Sequence, residues 1–250
     1  MNFSVLRAAL LMQLRLVGVV PATYVTAAAM PTIYLLLLAR GLGGAALAET
    51  VNQVTLMGVW GGTVWNCGLT LRWDAMTGVL PAVSASPARM RDVMLGRCAG
   101  GVLFSLGAVL ASVAAVLVCT RPTDSGMAWR CLVETGPTAA VCSIAAGFLL
   151  GSALIGSRSA FRIAELVLYL VLVFGGMMIP LDRLPRALRF AAPADPLYWI
   201  GRIAAPGGGP LGWRVPVSAA VSTLACALIA DWWLRLALRR LRRTGRVEYV

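Results

Sequence analysis

All 22 basic side chains in this 250-residue chain are arginine; neither lysine nor histidine occurs. That choice removes whole classes of chemistry. Without histidine there is no Ser–His–Asp triad, no His-ligated zinc and no imidazole pH switch. Without lysine a P-loop cannot reach the phosphates of ATP, so Gly207-Gly208-Gly209 reads as a flexible turn and not as a nucleotide cradle. The six cysteines contain no Cys-x-x-Cys spacing, which leaves neither a metal nor a redox motif. Three acids, Glu49, Glu165 and Asp231, are the candidates an ion-coupled carrier would use, but all three fall near span ends and none near a span centre. Structural pairing is the competing explanation. Arg162 precedes Glu165 by three residues, and Arg235 follows Asp231 by four. No acid–base pair or nucleophile–base set can be assembled, so the chain is not expected to be an enzyme and is expected to bind no cofactor or metal itself.

The elements that position these groups are membrane spans. The chain is 59% hydrophobic and 13% charged, against about 25% charged in a soluble domain. An all-α membrane protein follows, one domain over 1–250. Long apolar runs place six spans at about 16–39, 46–71, 95–120, 135–157, 163–179 and 213–234. Residues 1–16 carry Ser4, Arg7 and Arg15 on one narrow stripe, which fits a helix lying at the membrane interface. A loop with Arg121, Asp124, Arg130 and Glu134 separates the third and fourth spans. Cys119 and Cys131 flank it and could pair if it faces an oxidising compartment.

Two spans carry small residues at a spacing that lets helices approach closely: Gly58 with Gly62, and Gly147 with Gly151. The second span also holds Asn52, Gln53, Thr55 and Asn66. They either line a translocation path or bond to neighbouring helices. Residues 180–212 are too polar to span and too apolar for a free loop, and a helical hairpin dipping into the outer leaflet fits them. Residues 235–250 form a tail with six arginines.

The longest polar interruption, 72–94 and on to Arg97, links the second span to the third. It reads as a short helix over 74–83 broken at Pro81, then a new start at Ser86-Pro87. Six spans put both termini on one face. That face holds 14 arginines, including those of the 72–97 stretch and the tail, against 8 on the other. The positive-inside rule makes the richer face cytoplasmic. With the arginines lying between spans, the net charge of +12 sets topology and does not point to nucleic acid.

A cytoplasmic helix between the second and third of six spans, closed by Ser86-Pro87 and Arg89, resembles the permease subunits of type-2 ABC transporters. The outer segment strengthens the likeness: Gly175-Gly176 and Pro180, then Leu184-Pro185, then Asp195-Pro196-Leu197-Tyr198. The resemblance covers nearly the whole chain. It implies that Asp74, Leu80, Val83, Ser86, Pro87 and Arg89 contact a separate ATPase subunit. Thr77-Gly78 stands where the family has Gly-Thr, and Pro81 falls near its usual acidic residue. It further implies two ATPase copies holding ATP and Mg, a second permease chain, and export across the cell membrane. A small amphipathic or hydrophobic cargo such as a drug or antibiotic is expected, with a polysaccharide or lipid-linked glycan as the alternative.

Overall fold

In a computed structural model the chain is described over residues 2–19, 24–38, 42, 44–79, 83, 88–120, 125–155, 157, 159–178, 185, 192–203 and 214–244. Among these residues the fold is all-α, with no strand. Helix α1 spans Phe3–Val19, a run without proline that starts on Asn2, whose carbonyl accepts from Leu6 N at 3.1 Å. A π-helical turn, Val25–Ala29, leads into α2, Met30–Leu38. Helix α3 is Gly44–Thr63; it passes through a second π-helical turn, Val64–Gly68, into α4, Thr70–Met76. Then follow α5, Met90–Thr120; α6, Gly126–Leu154; α7, Ala160–Phe174; α8, Pro196–Ile203; and α9, Arg214–Thr244.

Helices α3, α5 and α6 form the centre. One apolar cluster joins Leu35, Leu47, Val51 and Val54 to Val109, Val113 and Leu132 near the Gly44 end of α3. A larger one, around Trp60, Val64, Met94, Phe148 and Leu154, gathers α7, α8 and α9 onto the other half. Glycine decides how closely the centre packs. A Cβ on Gly62 would overlap Ser105, and one on Gly147 would stand 2.8 Å from both Cys67 Cβ and Thr63 Cγ2. Gly151 faces Met94 and the Cys67 carbonyl; Gly58 is buried. Such approaches leave no room for a side chain.

Several boundaries differ from the sequence reading. The second run does not end near residue 71: with no breaker until Thr77-Gly78, the helix continues to Met76, and Gly78 turns the chain at φ +73°. Hence 72–76 belongs to the same helical path as the span, not to a separate helix over 74–83. Arg130 and Glu134 lie on α6, paired four residues apart at 2.8 Å, not in a loop. Pro137 is accommodated inside α6, where the Thr138 hydroxyl donates to the carbonyls of Glu134 and Thr135. Helix α9 continues through the start of the basic tail to Thr244 because nothing after Pro216 interrupts it. Cys119, exposed, and Cys131, whose sulfur lies 3.7 Å from the Thr135 hydroxyl, are not joined in a disulfide. Helix α1 packs lengthwise on α5, its buried stripe being Ala9, Gln13 and Val17.

Among the described residues three helices are long and apolar enough to cross a membrane: α5, α6 and Val215–Arg239 of α9. The other expected spans fall short for visible reasons. Residues 20–23 lie outside the described set, α3 is 20 residues long but carries Glu49, Asn52 and Gln53 among its apolar side chains, and α7 has only 15 residues.

Candidate functional site

At the Met76 end of α4, four elements meet around polar groups. Thr70 and Asp74 of α4 are buried one turn apart. Asp74 Oδ2 pairs with Arg97 Nη1 of α5, and both side chains are withdrawn from solvent. The same guanidinium donates from Nε to Gln13 Oε1 of α1 at 2.9 Å. Gln13 Nε2 in turn donates to the Asn66 carbonyl at 3.2 Å, and the Thr70 hydroxyl donates to that same carbonyl. Asn66 Nδ2 reaches Ser105 Oγ at 3.2 Å. The π-helical turn at Val64–Gly68 presents Asn66 to α1 and α5, and it lets Cys67 Sγ donate to Cys98 O at 3.3 Å. Close backbone contact supports the ring: Gly96 of α5 meets the Leu6 carbonyl, and Gly100 lies 2.7 Å, measured to an added Cβ, from the Leu10 carbonyl.

Around this buried ring the surface of the same end is different. Trp73, Met76, Thr77, Gly78, Val79 and Arg89 are exposed. Trp73 makes one edge-on contact with Phe161, centroids 5.6 Å apart. An exposed apolar group bounded by arginines is a surface suited to a partner. Val83 packs against the larger apolar cluster. Leu80, Ser86 and Pro87, expected to share in such a contact, lie outside the described residues. Asp74, expected beside them, instead points inward to Arg97.

Asn52 and Thr55 of α3 are satisfied within the bundle. Asn52 donates to the Gly201 carbonyl at 3.1 Å and accepts from the Thr135 hydroxyl at 3.0 Å, tying α8 and α6 to α3. Thr55 bonds the Val51 carbonyl, and Gln53 is half-buried. Trp60 Nε1 donates to Leu168 O at 3.3 Å and holds α7. Of the acids that a carrier would use, Glu49 and Glu165 are exposed, and Asp231 pairs with both Arg235 and Arg91. Among the described residues no His, Cys, Asp and Glu cluster could hold a metal.

In the segment before α9, Gly176 (φ +73°) turns the chain after α7, and Pro185 is exposed. Pro180 and Leu184 lie outside the described residues. Asp195 caps α8, accepting from Leu197 N at 3.0 Å through Oδ1. Its Oδ2 is shut off from solvent without a partner. Burial therefore pushes the carboxyl up to about 7, against the opposing pull of the Leu197 amide. Pro196 opens α8, and Leu197 and Ile200 bury into the core.

Sequence reasoning missed Gln13, Arg97 and Ser105 as partners. Their only sequence signal is a polar residue inside an otherwise apolar helix. No curated protein matches the chain. The family model described as ABC-2 type transporter matches residues 6–205.

Proposed function

The chain belongs to the ABC-2 type transporter family, and from that premise we propose the working of this membrane transport subunit. Six spans carry both termini and residues 72–97 on the cytoplasmic face, a reading that the arginine distribution supports. A separate ATPase subunit, two copies per assembly, binds and hydrolyses ATP with Mg. A second permease chain, identical or similar, completes the pathway in the cell membrane. The cargo is small and amphipathic or hydrophobic, a drug or antibiotic, and it is exported.

One observation carries the coupling part of this reading. The exposed apolar group Trp73, Met76 and Val79 lies at the arginine-rich end of the bundle, directly before the undescribed segment with Leu80 and Pro87. An apolar surface there is not covered by lipid tails if that end is cytoplasmic, and a groove on an ATPase would cover it. Burying Leu80 in such a groove is worth roughly 1.5–3 kcal/mol.

Two measurements test the proposal. In a Cys119→Ser background, Ala85→Cys should be inaccessible to an impermeant thiol reagent added outside intact cells; labelling from outside would overturn the topology. Leu80→Asp should release the ATPase on co-purification, while Pro87→Gly should keep it bound and lower transport by letting the turn flex. Wild-type binding and transport by Leu80→Asp would remove this segment from the coupling interface.

A further inference from the structure

Helix α4 is the last stretch of the helical path that runs from α3 through the π-helical turn, and it also packs against α6. Two buried polar side chains of α4 add specific ties to this packing. Thr70 holds it to the π-helical turn, and Asp74 holds it to Arg97. Arg97 is the branch point, since its Nε also engages Gln13. The ring Asn66–Gln13–Arg97–Asp74 therefore closes through α1, α4, α5 and the π-helical turn.

A buried ion pair adds little net stability over apolar packing, but it fixes register, because any slip leaves a charge without its partner in a low-dielectric interior. Apolar contacts would let α4 slide against α5 at small cost. The ring would not. We propose that Asp74, Arg97 and Gln13 are positioning residues forming a rigid joint, which makes α4 move as one body with α1 and α5. A push received at the exposed turn after Met76 then reaches α1 as well as α5. Gln13 has a separable part: it extends the joint from α5 to α1 without touching Asp74.

This inference rests on reading the turn as the ATPase contact, and its test has one arm free of that assumption. In the purified chain alone, hydrogen exchange of residues 3–19 and 70–79 should rise together, by about tenfold, in Asp74→Asn. Gln13→Leu should loosen 3–19 and leave 70–79 at the wild-type rate. Asp74→Glu should restore slow exchange in both. If Asp74→Asn loosens neither segment, or loosens 70–79 alone, the joint does not exist. The second arm uses the assembled complex, with the ATPase trapped by vanadate. In wild type, trapping should change exchange in both segments; in Gln13→Leu it should change only 70–79, with hydrolysis unaltered. A change in 3–19 that survives Gln13→Leu would overturn the transmission role. Failure of the wild-type chain to retain any ATPase would instead sink the proposed function while the first arm still judged the joint.

Discussion

Asp74 and Asp195 are both carboxylates withdrawn from solvent, yet their surroundings treat charge in opposite ways. Asp74 meets the Arg97 guanidinium, itself held by Gln13, so its charge has a fixed counterpart across the helix interface. Asp195 spends one oxygen on the Leu197 amide of α8 and leaves the other enclosed with no donor. Burial can be tolerated in the first case because a partner comes with it. In the second it is tolerated by raising the proton affinity of the group. The α4 end of the bundle is thus built around an ion pair, and the α8 end around a carboxyl with one enclosed, unpartnered oxygen.

The sharpest way to break this contrast is Asp74→Ala, which strands Arg97 in the interior and should lower stability by about 3–5 kcal/mol. Thermal unfolding in detergent measures it; a loss under about 1 kcal/mol would mean the pair is solvated in practice. Next comes Gly151→Leu, which forces a side chain against Met94 and the Cys67 carbonyl beneath the ring. Overpacking there should cost about 1–3 kcal/mol. Asn52→Leu probes the α8 side, removing the bonds to Gly201 and Thr135; unpaired groups left behind should cost about 1–3 kcal/mol and free α8 to proteolysis.

The Asp195 prediction concerns a slope and not a size. Its folded pKa of about 7 lies above the unfolded carboxylate value, so its contribution favours the folded state fully below about pH 4. That contribution is lost as pH rises through about 7. Asp195→Asn should therefore flatten the melting-temperature profile between these limits, and coincident profiles for the two proteins would rule Asp195 out as the responsible group. The smallest effect is expected at the exposed Arg130–Glu134 pair, where Arg130→Ala should change stability by about 0–1 kcal/mol.

What could be read in the sequence follows how far apart the interacting residues stand. The pairing of Asp231 with Arg235 is a one-turn relation on a helix, and the structure contains it. Residues 130 and 134 stand in the same relation, yet a cluster of charges beside Pro122 reads as a loop until the helix is seen to continue through them. Apolar runs identify the membrane class and the α5 and α9 helices, though charged flanks hide where helices end. The ring could not be read at all. Arg97 lies 23 residues from Asp74 and 84 from Gln13, and only the crossing of α1 over Gly96 and Gly100 brings the three together. Likewise the π-helical turn at Val64–Gly68 leaves no trace in hydrophobic periodicity, although it aims Asn66.

Helix α9 has a consequence of a different kind. Its 31 residues make a rod about 46 Å long, against a hydrocarbon layer of about 30 Å. Past the exposed pair Trp232 and Trp233 the rod goes on without glycine or proline to bend it. It therefore behaves as the needle of a gauge: a tilt of about 20° in its membrane portion sweeps the far tip sideways by about 16 Å. A spectroscopic probe fixed at Thr244 would read the inclination of this rod directly, amplified by its own length.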